Sequence, residues 1–248
     1  MDGAAEKSTL LACALLFTLG TQSAMGDPYD SLLTTYTQNG AHQIEFDIGT
    51  QKPAGQGSSS AAALGIGTLA TERWFTEVYG SYARDSGAAT QFNSAAWVNT
   101  LVLTDGQSAL DVGLYSEIEY EQDRAAGYQV KIGPLFQTEF GLTTANLNFL
   151  LHRNYLADFS NTMQLDYQWQ LKRRLNASLE YGVQGFGELG TWDHWAPHDQ
   201  QAHRIGPVIL GKLNLDGDNV IHCNAGILFD VFDGQRATTL RFQATYGF

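Results

Sequence analysis

Glu117, Glu119 and Glu121 stand at every second position. In an extended strand they project from one face. Asp111 continues that face, and Asp166 and Glu180 hold matching places in later segments, as do Glu45, Asp47, Glu77 and Asp230. Acids crowded along a low-dielectric wall focus a negative field, which draws cations into a water-filled passage. Lys131 and Arg241 are the clearest cations on the same faces. A filled interior, in which acids hydrate and pair with bases, accounts for the same pattern. A second constellation is Trp192, Asp193, His194, Trp195, His198, Asp199 and His203. Histidine with carboxylate at short spacing can hold Zn²⁺ or Cu²⁺. No compact ligand motif is present, and the tryptophans suit a loop at the bilayer interface. A third is His152 with Ser160, the minimum pair for acyl transfer, which a hairpin would bring together. The chain lacks the His-x-Ser arrangement of outer-membrane phospholipases, a glycine-rich phosphate loop and a metal-hydrolase motif. Neither a cofactor nor a catalytic residue is therefore expected.

These side chains need strands to hold them. Period-two alternation dominates the chain after residue 40. Its clearest stretch puts Met163, Leu165, Tyr167, Trp169 and Leu171 on one face and Thr162, Gln164, Asp166, Gln168 and Gln170 on the other. Leu110, Val112, Leu114, Ile118 and Tyr120 form another apolar stripe, opposite Asp111, Tyr115 and the three glutamates. Such segments number about twelve, an even count as in bacterial single-chain barrels. They fall at 41–50, 60–70, 74–84, 91–104, 108–121, 126–139, 143–153, 159–171, 175–188, 201–213, 219–230 and 236–248. Trp97 and Pro207 blur the faces of the fourth and tenth. Asp105-Gly106, Asp216-Gly217 and Asp233-Gly234 favour tight reversals. Phe140-Gly141-Leu142 and Lys172-Arg173-Arg174 read as short turns, and 51–57 and 189–200 as outside loops.

The composition narrows the class. Of 248 residues, 16% are charged and 12% aromatic, the reverse of a disordered chain. A net charge of −12 argues against nucleic acid as a partner. Lys7, the apolar run Leu10–Leu19 and the small–x–small triplet Ala24-Met25-Gly26 predict an export signal over 1–26, cleaved before Asp27. That leaves Cys223 as the sole cysteine of the mature chain, with no intramolecular disulfide. Residues 27–40 are polar and show no clear period, and 41–248 form the barrel. No later run is apolar and long enough for a membrane helix, so any crossing must use strands.

Strand length separates a membrane barrel from a soluble sandwich, since a tilted membrane strand needs about ten residues. Aromatics also gather at strand ends, with Trp74, Trp169, Tyr246 and Phe248 at predicted periplasmic ends and Tyr82, Tyr120 and Tyr128 at outer ends. The chain stops inside a strand in which Leu240, Phe242, Ala244, Tyr246 and Phe248 alternate with polar residues. This strand resembles the C-terminal signal of Gram-negative outer-membrane β-barrel proteins, a porin-like class. The resemblance implies an up-and-down antiparallel barrel in outer-membrane lipid. It also implies that Phe242, Tyr246 and Phe248 are read by the assembly machinery and then close the barrel. The function expected is a narrow channel or uptake protein for small solutes, with cations favoured if the acids line an open path. A lipid-modifying enzyme and a closed structural barrel are the alternatives.

Overall fold

A computed structural model describes residues 28–36, 41–104, 106–159, 161–215, 219–231 and 236–248. The predicted export signal, Ser160, and one or both residues of each Asp-Gly turn lie outside the described residues.

The alternation produces an antiparallel barrel. Its strands are β1 (His42–Pro53), β2 (Ser59–Thr71), β3 (Trp74–Arg84), β4 (Gln91–Val102), β5 (Asp111–Glu121), β6 (Tyr128–Phe140) and β7 (Thr143–Tyr155). The sheet continues through β8 (Gln164–Asn176), β9 (Leu179–Thr191), β11 (Ala202–Asn214), β12 (Val220–Asp230) and β13 (Ala237–Gly247). A two-residue piece, β10 (His194–Trp195), extends β9 as a hairpin above the rim. Each long strand pairs with its neighbours in order, and β13 returns to β1. Closure removes the open edges that would otherwise expose unpaired amides. At the seam Ile44 faces Tyr246 and Ile48 faces Phe242. Phe248 and His42 exchange both backbone hydrogen bonds, at 3.0 and 3.1 Å. Phe242, Tyr246 and Phe248 thus lie along the seam that closes the barrel.

The outer surface is apolar. Ile44, Phe46, Leu64, Ile66, Val78, Ile118, Ile132, Ile209 and Phe242 are all exposed on the bare protein. Such a belt is unstable in water and matches lipid. Among the described residues no helix is long and apolar enough to cross a membrane, so the crossing is made by strands. Trp74, Tyr246 and Phe248 sit at the end carrying His42 and Gly247, which is the periplasmic end in outer-membrane barrels. Tyr82, Tyr120 and Tyr128 sit at the other. Trp169 does not join a girdle. It lies near the middle of β8, because that strand runs to Asn176. For the same reason Lys172-Arg173-Arg174 is strand, and the turn falls at Ala177-Ser178. The alternation continues through the basic run: Lys172 and Arg174 share the inward face of Gln170, while Arg173 shares the outward face of Leu171. Pro207 is also placed, on the lipid side next to inward-facing Gly206 and Val208.

The surface gives a first prediction. Ile66 lies in mid-β2 and is 61% exposed on the bare protein. Ile66→Arg is expected to cost roughly 2–4 kcal/mol, as for a cation at the bilayer midplane. Leu165 is the second residue of β8 from the outer rim. Leu165→Arg is expected to cost roughly 0–1 kcal/mol, because its charge reaches water. Reversible folding into lipid vesicles under urea measures both, and equal costs would contradict the placement.

Candidate functional site: the lumen and its N-terminal segment

All the acids singled out in the sequence face inward. Glu117 is buried. It accepts hydrogen bonds from Tyr79 Oη at 2.9 Å and from Tyr115 Oη, and pairs with Lys131 Nζ at 3.7 Å. Glu119 is buried beside it. Glu121 sits higher, 3.4 Å from Asn154 Nδ2. Asp111 is near the periplasmic rim and accepts from Thr104 Oγ1 at 3.0 Å. Asp166 faces His152 Nδ1 at 3.6 Å. Glu180 receives Lys172 Nζ at 2.7 Å and Arg174 Nε at 3.7 Å. These acids do not converge on one point. They are spread over the wall, and several already hold partners.

The charges are also sorted by wall. On the inner face of β1–β5 the described side chains include Glu45, Asp47, Glu77, Asp111, Glu117, Glu119 and Glu121, and no Lys or Arg. Among the described strand residues the inward cations Lys131, Lys172, Arg174, Arg204, Lys212 and Arg241 lie on β6, β8, β11 and β13, while Arg73, in the β2–β3 turn, also lines the lumen. Sequence reasoning found only Lys131 and Arg241. Lys172 and Arg174 were lost to a misplaced turn, and Arg204 and Lys212 to the blurred face around Pro207. Continuing the period-two count through both places would have recovered them.

The lumen is not empty. Residues 28–36 run through it without entering the sheet. Pro28 lies against Gly49 in the outer half of β1, where an added Cβ would fall 2.0 Å from the Pro28 carbonyl oxygen. At the other end Tyr36 Oη is 3.4 Å from Thr104 Oγ1, beyond the periplasmic end of β4. Between them Arg241 donates to the Asp30 carbonyl, and Gln243 Nε2 donates to Ser31 Oγ at 2.9 Å. Leu33 N donates to Gln168 Oε1 at 3.1 Å, and Leu33 O accepts from Asn148 Nδ2 at 2.8 Å. Tyr29 packs on Ala61 and Ala63, with Tyr79 and Ala83 beside them. Leu33 packs on an inward apolar cluster of Val98, Tyr115, Leu135 and Leu150. Inward glycine makes the close approach feasible at Gly49, and again at Gly113, where a Cβ would lie 3.2 Å from Thr35 Cγ2.

Beside the segment, in the periplasmic half of the lumen, a chamber of about 800 Å³ is lined by Glu45, Glu72, Arg73, Glu77, Lys172, Arg174 and Lys212 and bounded on one side by residues 31–36. A smaller space of about 110 Å³ lies between Tyr29, Asp30 and the acidic wall. The passage is therefore wide at the periplasmic end and narrow where the segment crosses it.

The barrel has relatives of known structure. The KdgM porin, solved in complex with disordered oligogalacturonate, is 9% identical, with a TM-score of 0.55 over 83% of this chain and 99% of that one. The NanC porin is 10% identical, with a TM-score of 0.59 over 82% and 100%. The fold is that of the porin-like outer-membrane barrels. No protein-family model and no curated protein matches the sequence. At such identities the likeness is one of fold. With the apolar belt, it gives this porin-like barrel its place in the outer membrane.

The histidine-containing stretch is placed differently from the lumen. His203 faces outward near the outer rim, with Nδ1 2.7 Å from Tyr167 Oη and Nε2 2.9 Å from Gln201 Oε1. The rings of His198 and His203 are 6.2 Å apart, and Trp192 and Trp195 are exposed. Among the described residues no group of three or more His, Cys, Asp or Glu has the arrangement to hold a metal ion.

Proposed function

We propose that the protein is a narrow outer-membrane channel or uptake protein for small solutes, held closed in this state by its own N-terminal segment. The observation that carries the reading is the segment itself, which crosses a polar lumen through side-chain contacts and leaves the chamber beside it open. Eight-stranded barrels fill with side chains and sixteen-stranded porins leave a channel. Twelve long strands enclose a space that side chains alone do not fill, and here a peptide completes the filling. One structural relative, the KdgM porin, was solved in complex with disordered oligogalacturonate. It supports solute uptake without fixing the solute for this chain.

Inward acids outnumber inward cations, so a conducting form should prefer cations. The preference should rest on Glu45 and Glu77, which border the chamber, more than on Glu117, whose charge is matched by Lys131. Reversal potential under a salt gradient reads this directly. The expected result is a cation preference that falls in Glu45→Gln and at high salt, where screening shortens the range of the field. An anion preference would contradict it. Phe242, Tyr246 and Phe248 support a further reading, that the assembly machinery engages the strand that closes the seam.

A lipid-modifying enzyme has less support. His152 faces the lumen and Asp166, away from the lipid such an enzyme would act on. A non-catalytic barrel is the reading adopted.

A further inference from the structure

The lumen holds residues 28–36 in the way a binding site holds a peptide. Three of the wall contacts are directed at the backbone: Gln168 accepts from Leu33 N, Asn148 donates to Leu33 O, and Arg241 donates to the Asp30 carbonyl. An acceptor and a donor therefore converge on the amide and carbonyl of one residue, as a neighbouring strand would supply them. Two sockets flank these contacts, one of small residues around Tyr29 and one of apolar side chains around Leu33, four positions further on. Asp30, between them, lies within electrostatic reach of three cations, Lys131, Arg204 and Arg241, and of one acid, Glu117. Sugar hydroxyls could meet Gln168 and Asn148, but a sugar chain carries no apolar side chains to fill the two sockets.

We propose that the lumen is a binding site for an extended oligopeptide with apolar side chains four positions apart and an acid next to the first, and that the chain's own residues 28–36 occupy it. The inference deepens the channel reading and rests on it, since it names the class of solute. Tethering gives the resident segment a high effective concentration, so a free peptide competes poorly until the tethered one is weakened.

The test uses full-length protein carrying Tyr29→Ala and Leu33→Ala, which leave the strands untouched, in planar bilayers. The probe is a synthetic peptide with the sequence of residues 28–36. It should block the current reversibly. The same peptide with alanine in place of its first Tyr and second Leu should block at least about tenfold more weakly, because each socket is filled by a large apolar side chain. Adding Asn148→Ala and Gln168→Ala to the protein should also weaken the block about tenfold, through loss of the backbone contacts. Unaltered protein should respond least. An open channel indifferent to the peptide overturns the inference and leaves the channel reading standing. So does one blocked equally by a scrambled peptide or by a neutral oligosaccharide of similar length. A variant that never conducts removes the channel reading. Anisotropy of the labelled peptide on that sample then decides the site on its own: specific binding supports it, and no binding overturns it.

Discussion

Glu117→Gln should destabilise the barrel by about 2–4 kcal/mol, at or below the cost of breaking a buried ion pair from one side. The substitution keeps shape and volume, so the loss is electrostatic. Glu117 is buried and receives two tyrosine hydroxyls. Its other partner, Lys131, keeps its charge and loses its counter-ion 3.7 Å away. Lys131 is partly open to the lumen, which lets water recover some of the loss and holds the estimate near the lower end. Glu119→Gln, one step along the same face, should cost less than about 1 kcal/mol, since Lys131 retains Glu117. Urea unfolding in vesicles measures both. A Glu117→Gln variant as stable as Glu119→Gln would mean that the pair contributes nothing. In the sequence Glu117 and Glu119 stand as equivalent acids of one inward face. Spacing shows which residues share a face. It does not show that Tyr79, two strands away on β3, reaches one of them.

The barrel was legible in the sequence because its two faces meet different solvents, and a period of two records that contrast at each strand. Met163 to Leu171 and Leu240 to Phe248 carried it without ambiguity. Strand ends were less legible. At Lys172-Arg173-Arg174 a local run of charge imitates a turn, although Arg173 faces outward close enough to the rim for its head to reach water. At Gly206-Pro207 a residue without an N–H sits inside a strand, which local rules disfavour.

The lumen segment was illegible for a different reason. Residues 28–36 have no secondary structure and no period, and their contacts lie far along the chain, with Asn148, Gln168, Arg241 and Gln243. A sequence pattern records the solvent of an element, and this segment has the lumen for solvent. The nearest thing to a signal was composition: an inward face carrying Val98, Leu135 and Leu150 is too apolar for a purely aqueous pore. Gly49 and Gly113, small where the wall should carry side chains, mark the path the segment takes.

Loosening that segment should change conductance more than any other substitution in the molecule. Tyr29 and Leu33 are its two apolar anchors, and removing a buried aromatic or leucine side chain forfeits about 2–5 kcal/mol at each site in a packed interior. The polar contacts that remain, at Asp30, Ser31, Leu33 and Tyr36, are modest, at about 1 kcal/mol each and up to about 3 kcal/mol for the charged Arg241 donor, and water in the lumen can replace them. The doubly substituted segment should therefore leave the lumen for most of the time, while β1–β13 pairing keeps the barrel closed as a sheet. The decisive measurement is single-channel recording in planar bilayers, with unaltered protein beside the Tyr29→Ala/Leu33→Ala variant at equal insertion. Mostly closed traces for the unaltered protein, and long, cation-preferring openings for the variant, are the predicted result. Identical traces from two properly folded proteins, whether both open or both closed, would contradict the claim that residues 28–36 close this barrel.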